Sequence, residues 1–249
     1  MKSFLTALKF LTVLPFGKKL EFQEKELAKS TGYFPLVGVL IGLLLVAVDF
    51  ILSPFFSNSI VNLFILITLI VITGALHLDG FMDAVDGLFG GQDQDEKLRI
   101  MKDTQTGSFG IVALIVLLLL KFTLISELSG ERIFPLILIL MPALGRWSMV
   151  SAMPFYPYPR KKGTGSFTKF VEKKDVLIAT VIMFVLTIGL LRLEGLILLF
   201  GTFIFMVLIT QLISRKIGGM TGDTYGALNE VIEVVILISA YGLNKIWLI

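Results

Sequence analysis

The sequence predicts an all-α polytopic integral membrane helix bundle, about seven transmembrane helices preceded by an N-terminal amphipathic interfacial helix. Three observations carry this. The 249 residues are 55% hydrophobic and only 16% charged, with a mean hydropathy of +0.89, whereas soluble domains run nearer 45–50% apolar and about 25% charged. Apolar runs of roughly 17 residues or more, long enough to cross a bilayer, recur along the whole chain. Lys and Arg collect in alternate connections between those runs, as they do in cytoplasmic loops.

The opening segment, MKSFLTALKFLTVLPFGKK, has no small-residue cleavage site and reads as an amphipathic helix retained at the interface. Spans are then expected at 36–54, 60–78, 109–127, 133–153, 176–191, 195–213 and 228–249. Lys2, Lys9, Lys18, Lys19, Lys25 and Lys29 precede the first span; Lys97, Arg99 and Lys102 follow the second. Arg160, Lys161, Lys162, Lys169, Lys173 and Lys174 follow the fourth, and Arg215 and Lys216 the sixth. The other connections carry no cation, Arg132 alone, and Arg192 alone. This alternation places the N-terminus inside and the C-terminus outside. No repeat, low-complexity tract or soluble domain interrupts the spans, so residues 1–249 read as one membrane-embedded domain. The absence of cysteine excludes disulfides and thiolate metal ligands.

The chemistry-bearing residues gather on the expected cytoplasmic side. HLDGFMDAVDGLFGG (77–91) follows a nearly continuous apolar run. Asp79, Asp83 and Asp86 stand at i, i+4 and i+7, within about 60° of one another on one helical face. Like charges stacked this way repel, so a cation is expected among them. An all-oxygen cluster suits Mg²⁺, which takes one or two carboxylates plus waters and substrate phosphates. A solvated acidic cap at the end of a span is the plainer reading, but the interleaved Phe81, Met82, Ala84 and Val85 speak for a packed helix. Gly80, Gly87, Gly90 and Gly91 leave room for a ligand or a close turn. His77 points to a different face, as a packed interfacial histidine or as a catalytic base.

MKDTQTGSFG (101–110) brings Lys102, Thr106 and Ser108 to the start of a span. Free amides there can hold an anion, and a plain N-cap would use Thr106 or Ser108 equally well. Arg146 lies inside the fourth span, where a charge is costly and usually functional; snorkelling is the alternative. RKKGTGSFTKF (160–170) suits phosphate binding or an ordinary basic loop. In RKIGGMTGDTYGALNEVIEV (215–234), Thr221, Asp223, Thr224 and Asn229 come just before a span into which Glu230 and Glu233 run on one face. Glu233, the deeper, is expected to have a partner such as Arg146 or a metal. Carboxylates, fixed cations and glycine-rich turns at one membrane face point to phosphoryl-type transfer, with a divalent metal bridging a substrate diphosphate.

HLDGFMDAVDGLFGG, MKDTQTGSFG, ALGRW (143–147) and GGMTGD..GA..E (218–230) resemble the cobalamin synthase (adenosylcobinamide-GDP ribazoletransferase) family. The likeness runs from LTALKFLTVLPF through FPLVGVLIG (34–42) to the last span. It implies a Mg²⁺-dependent multi-pass enzyme of a bacterial or archaeal cytoplasmic membrane, with its active site facing the cytoplasm. A ribose hydroxyl of α-ribazole, or of its 5′-phosphate, would attack the cobinamide-side phosphorus of adenosylcobinamide-GDP and GMP would leave. With the patterns above, Asp79, Asp83 and Asp86 are the expected metal ligands, and Asp79, Asp83 and His77 the expected catalytic groups. Arg146, Lys102, Thr106, Ser108, Thr221, Asp223 and Glu230 are expected on the substrates. The partners expected are these two substrates and the lipid bilayer, with no nucleic acid; a monomer and an oligomer fit the sequence equally.

Two other readings fit less well. A CDP-alcohol phosphotransferase carries an Ala-Arg soon after its Asp-Gly, whereas Asp79-Gly80 is followed by Phe81-Met82-Asp83-Ala84. A seven-span transporter would hold its polar residues near the midplane, in broken helices.

Overall fold

The computed structural model describes residues 2–14, 23–160 and 163–247, which form ten α-helices joined by short 3₁₀ turns and, among the described residues, no strand. Lys18, Lys19, Lys161 and Lys162 of the basic segments lie outside the described residues. The helices are α1 (Lys2–Leu11), α2 (Glu24–Ser30), α3 (Phe34–Leu52), α4 (Asn58–Thr73), α5 (Leu76–Gly90), α6 (Gln94–Ile100), α7 (Ser108–Leu128), α8 (Phe134–Ala152), α9 (Lys173–Ile217) and α10 (Gly222–Trp247).

α8 is the axis of the bundle, with 89% of its apolar window buried against 22% for α7 and 28% for α9. The outer helices turn their Leu, Ile and Phe side chains outward instead: Phe50, Leu119, Phe200 and Leu212 are all exposed. That is the pattern of helices facing lipid, where an apolar surface needs no protein cover. α3 packs closest to α8, because Gly38 and Gly42 stand four apart on one face. A Cβ on Gly38 would lie 2.5 Å from the Pro142 carbonyl oxygen, and one on Gly42 would strike the Ile139 backbone. This is the small-xxx-small device of membrane helices, which exchanges side-chain volume for backbone contact. Two side-chain bonds add specificity between apolar faces: Trp147 Nε1 donates to Thr180 on α9 at 3.1 Å, and Asn62 Nδ2 to Ser126 at 3.4 Å.

The structure departs from the expected spans at α5 and α10, and at Arg192 it divides α9 as the two expected spans 176–191 and 195–213 require. The second span breaks: Gly74 (φ 58) and Ala75 (φ 55) are both left-handed, and α5 leaves α4 at 86°. The aspartates therefore ride on the second limb of a broken span and not in a loop beyond it. α9 is 45 residues long, about 67 Å if straight and twice the hydrocarbon thickness. At Arg192 the backbone leaves the helix (φ 52, ψ −124). The chain folds back there, since a Cβ on Gly195 would strike the carbonyl of Thr187. Five helices are long and apolar enough to cross a membrane, or six if α4 and α5 count as one broken span; dividing α9 at its reversal adds one crossing more. Finally, α10 begins at Gly222 rather than near Leu228, because the polar residues of its first turns find partners inside the bundle.

Candidate active site at one end of the bundle

Two glycines bring α5 and α10 together. A Cβ on Gly80 would sit 3.0 Å from both the Cα and the carbonyl oxygen of Asp223, and one on Gly226 would sit 3.2 Å from the His77 carbonyl oxygen. This approach places Asp79 and Asp223 on one wall of a cavity of about 200 Å³, together with His77. The ends of α1, α3 and α8 close the sides through Leu11, Phe34, Met149 and Met153. The roof is the connection after α8: Thr164, Gly165, Phe167 and Thr168 line it, and a Cβ on Gly165 would lie 2.6 Å from the Gly222 amide.

Asp79 is exposed and Asp83 half-buried. Asp83 lies within electrostatic reach of Asp79, Asp223 and Arg160. Arg160, from the same connection as the roof, donates to Asp223 Oδ2 at 2.8 Å, its side chain 7% exposed. Among the described residues Arg160 pairs with Asp223, and no cation pairs with Asp79 or Asp83, so the cluster keeps an excess of negative charge beside an open cavity.

Asp86 is also within electrostatic reach of Asp83, but its carboxylate is engaged elsewhere. Buried, it accepts from the Gly107 amide through one oxygen and the Gly110 amide through the other, each at 2.8 Å. The anion expected at the start of α7 is therefore the chain's own carboxylate, held by unpaired amides at a helix N-terminus. Lys102, Thr106 and Ser108 are exposed and stand outside the cavity. No group of three or more acidic or histidine side chains converges to metal-binding distance among the described residues, so the expected Asp79–Asp83–Asp86 triad is not assembled as one ligand set. The helical spacing correctly put the three on one face, but α7 crosses that face at Asp86.

Thr221 is a cap. Its hydroxyl accepts from the Thr224 amide at 3.2 Å, and its own amide donates to the Thr224 hydroxyl at 2.8 Å, satisfying the first turn of α10.

Deeper in the bundle lies a second polar cluster. Lys121 Nζ, from α7, donates to Glu230 at 2.6 Å and to Glu233 at 2.5 Å. Arg146, fully buried, donates through Nη1 to Glu233 at 3.0 Å and to the Pro142 carbonyl at 2.9 Å. That carbonyl lies one turn before Arg146 on its own helix α8. Asn229 bridges the two glutamates at 3.2 and 3.0 Å. Two cations balance two carboxylates, as burial in low dielectric requires. The Arg146–Glu233 pair matches the partner expected for Glu233. Arg146 and Glu230 were also expected on the substrates, and the structure turns both inward, away from the cavity. Lys121 was not singled out in the sequence; the available signal was a lone lysine inside the apolar run of α7. His77 stands between the two clusters, buried, with Nδ1 unpartnered.

A sequence model of the cobalamin-5-phosphate synthase family matches residues 3–241, nearly the whole chain. The chain belongs to this family. Among its relatives, the adenosylcobinamide-GDP ribazoletransferase of Desulforamulus reducens is 40% identical over 233 residues, 93% of this chain and 92% of that one. That of Alkaliphilus oremlandii is 35% identical over 249 residues, 99% of each chain. No solved structure matches significantly. In this member of the family, the cavity between α5 and α10 combines an acidic wall with a roof of Thr164, Gly165, Phe167 and Thr168.

Proposed function

We propose that this chain joins adenosylcobinamide-GDP to α-ribazole or its 5′-phosphate at the cavity between α5 and α10, releasing GMP. The observation that carries the reading is the excess of carboxylate over cation at an open cavity, inside a chain whose relatives bear that transferase name. About 200 Å³ is on the order of seven water volumes. The cavity would take a diphosphate and a ribose hydroxyl, and the corrin body would lie outside it.

The donor set fits Mg²⁺: oxygen ligands only, partly open, with one or two carboxylates available to share the ion with water and phosphate. Asp79 and Asp83 would hold it, and the ion would neutralise the diphosphate as charge moves to the leaving phosphate. Asp223 anchors the Arg160 guanidinium at the cavity edge, where its planar fork suits a phosphate. The ribose oxygen bonds to the cobinamide-side phosphorus as the bond to GMP breaks. Asp79 and His77 are the wall groups placed to take the hydroxyl proton.

Purified protein supplied with α-ribazole should release GMP from a GDP-linked cobinamide donor and no CMP from a CDP-linked alcohol donor. Release from the CDP-linked donor alone would move the assignment to the other phosphotransferase class, and release from neither would overturn the proposed activity.

The site end faces the cytoplasm in this reading, because the Lys- and Arg-rich connections described here lie at that end. Single cysteines at Asn58 and Lys174, both exposed, should label from opposite sides of the membrane in this cysteine-free chain. Labelling from the same side would overturn the topology and the location of the site with it.

A further inference from the structure

The end of the bundle away from the acidic cavity carries a second concavity, a groove of about 310 Å³ bordered by Arg132, Arg192 and Glu194, with Leu136, Leu190 and Leu243 among its apolar walls. Its position follows from two helices that connect both sites. α8 runs from Leu136 at the groove to Met153 just past its end, and α10 from Asp223 to Leu243. At 1.5 Å per residue these separations are about 26 and 30 Å, the thickness of a bilayer's hydrocarbon core. The groove therefore sits at the level of the opposite headgroup layer.

Each of two connections on that side carries a single cation between spans, Arg132 in one and Arg192 in the other, and the fold brings both to the same groove. Arg192 holds its place at a cost. Its φ of 52 and ψ of −124 belong to a region that glycine occupies freely and a side-chain-bearing residue rarely does, and strain of this kind tends to persist where it serves a site. Two guanidiniums against one carboxylate leave the groove positive, and guanidinium forks match phosphate oxygens. The leucine walls run from the arginines into the hydrocarbon layer.

From this juxtaposition we infer that the groove binds an anionic phospholipid, its phosphate between Arg132 and Arg192 and an acyl chain along the leucines. A zwitterionic lipid is the poorer match, because its ammonium would meet the positive charge left over after one arginine has engaged the phosphate.

The test uses the purified full chain in detergent, read by thermal unfolding. Phosphatidylglycerol should raise the melting temperature by about 5 °C more than phosphatidylcholine at the same mole ratio, and inorganic phosphate should raise it by neither amount. In Arg132→Gln/Arg192→Gly the phosphatidylglycerol increment should fall to that of phosphatidylcholine. Without lipid this variant should melt at or above the parent temperature, since glycine relieves the backbone at 192. Arg132→Gln alone, which leaves the backbone untouched, should lose about half of the specific increment. Equal increments from the two lipids, an undiminished increment in either variant, or an effect reproduced by inorganic phosphate would each overturn the assignment.

Discussion

Asp79→Asn and Asp83→Asn are expected to lower GMP release about 10²-fold or more, the scale seen when one group that neutralises transition-state charge is removed, while the protein melts in detergent at or above its parent temperature. Asparagine keeps size and deletes one negative charge from a cluster in which Asp83 lies within electrostatic reach of Asp79 and Asp223 and Arg160 is paired with Asp223. Repulsion falls and a charge assigned to Mg²⁺ in the proposed mechanism is lost, so stability and activity should move in opposite directions. Asp86→Asn should behave in the reverse way. It keeps one of the two bonds to the Gly107 and Gly110 amides, without its charge, and turns an NH2 donor on the other amide, at a cost of about 1–3 kcal/mol. Turnover should fall only as far as the start of α7 loosens. GMP release titrated against Mg²⁺, paired with melting curves for the three variants, separates these outcomes. Parent rates and parent metal dependence in both Asp79→Asn and Asp83→Asn would sink the proposed mechanism.

The second large effect lies in the interior. Lys121→Met leaves Glu230 and Glu233 with Arg146 as their one remaining cation in the cluster, and breaking a buried ion pair in this way typically costs about 3–5 kcal/mol. The melting temperature should drop on the order of 10 °C. Lys121→Met/Glu230→Gln removes one charge of each sign and should recover most of that loss. If the double variant is stable and also turns over, Glu230 serves the fold alone. If it is stable and inactive, the sequence-based expectation of a substrate role for Glu230 returns. A Lys121→Met protein as stable as its parent would show that the cluster contributes nothing.

Much of this was legible because membrane burial makes polar residues conspicuous. Arg146 and Glu233 could be matched as partners from depth alone, since neither has another inexpensive way to sit in a span. Asp79 and Asp223 could each be marked, from Asp-Gly and Gly-Asp motifs at span ends, although only the fold shows that Gly80 lets their backbones meet. The partners of Asp86 were not legible for a physical reason: periodicity assigns a residue to a face of its own helix and says nothing of which neighbour crosses that face. Lys121 escaped notice because one lysine barely lowers the hydropathy of SFGIVALIVLLLLKFTLISEL. The break after Thr73 was hidden for a different reason. Ala75 rarely adopts a left-handed conformation, so nothing local announces it, and the packing of α5 against α7 and α10 imposes it.

The balanced interior cluster also has a bearing on how the chain is made. Lys121 and Arg146 emerge from the ribosome about a hundred residues before the glutamates that neutralise them. A charged side chain at the centre of an inserting helix costs about 2.5–3.5 kcal/mol, so α7 and α8 must wait, each with an unmatched cation, at the translocon or against lipid until α10 arrives. A helix synthesised well after α7 and α8 is thus the one that completes their charge balance. A nascent chain stopped short of Glu230 would expose two stranded cations inside the bilayer, a chemical mark by which membrane quality control could tell an unfinished molecule from a finished one.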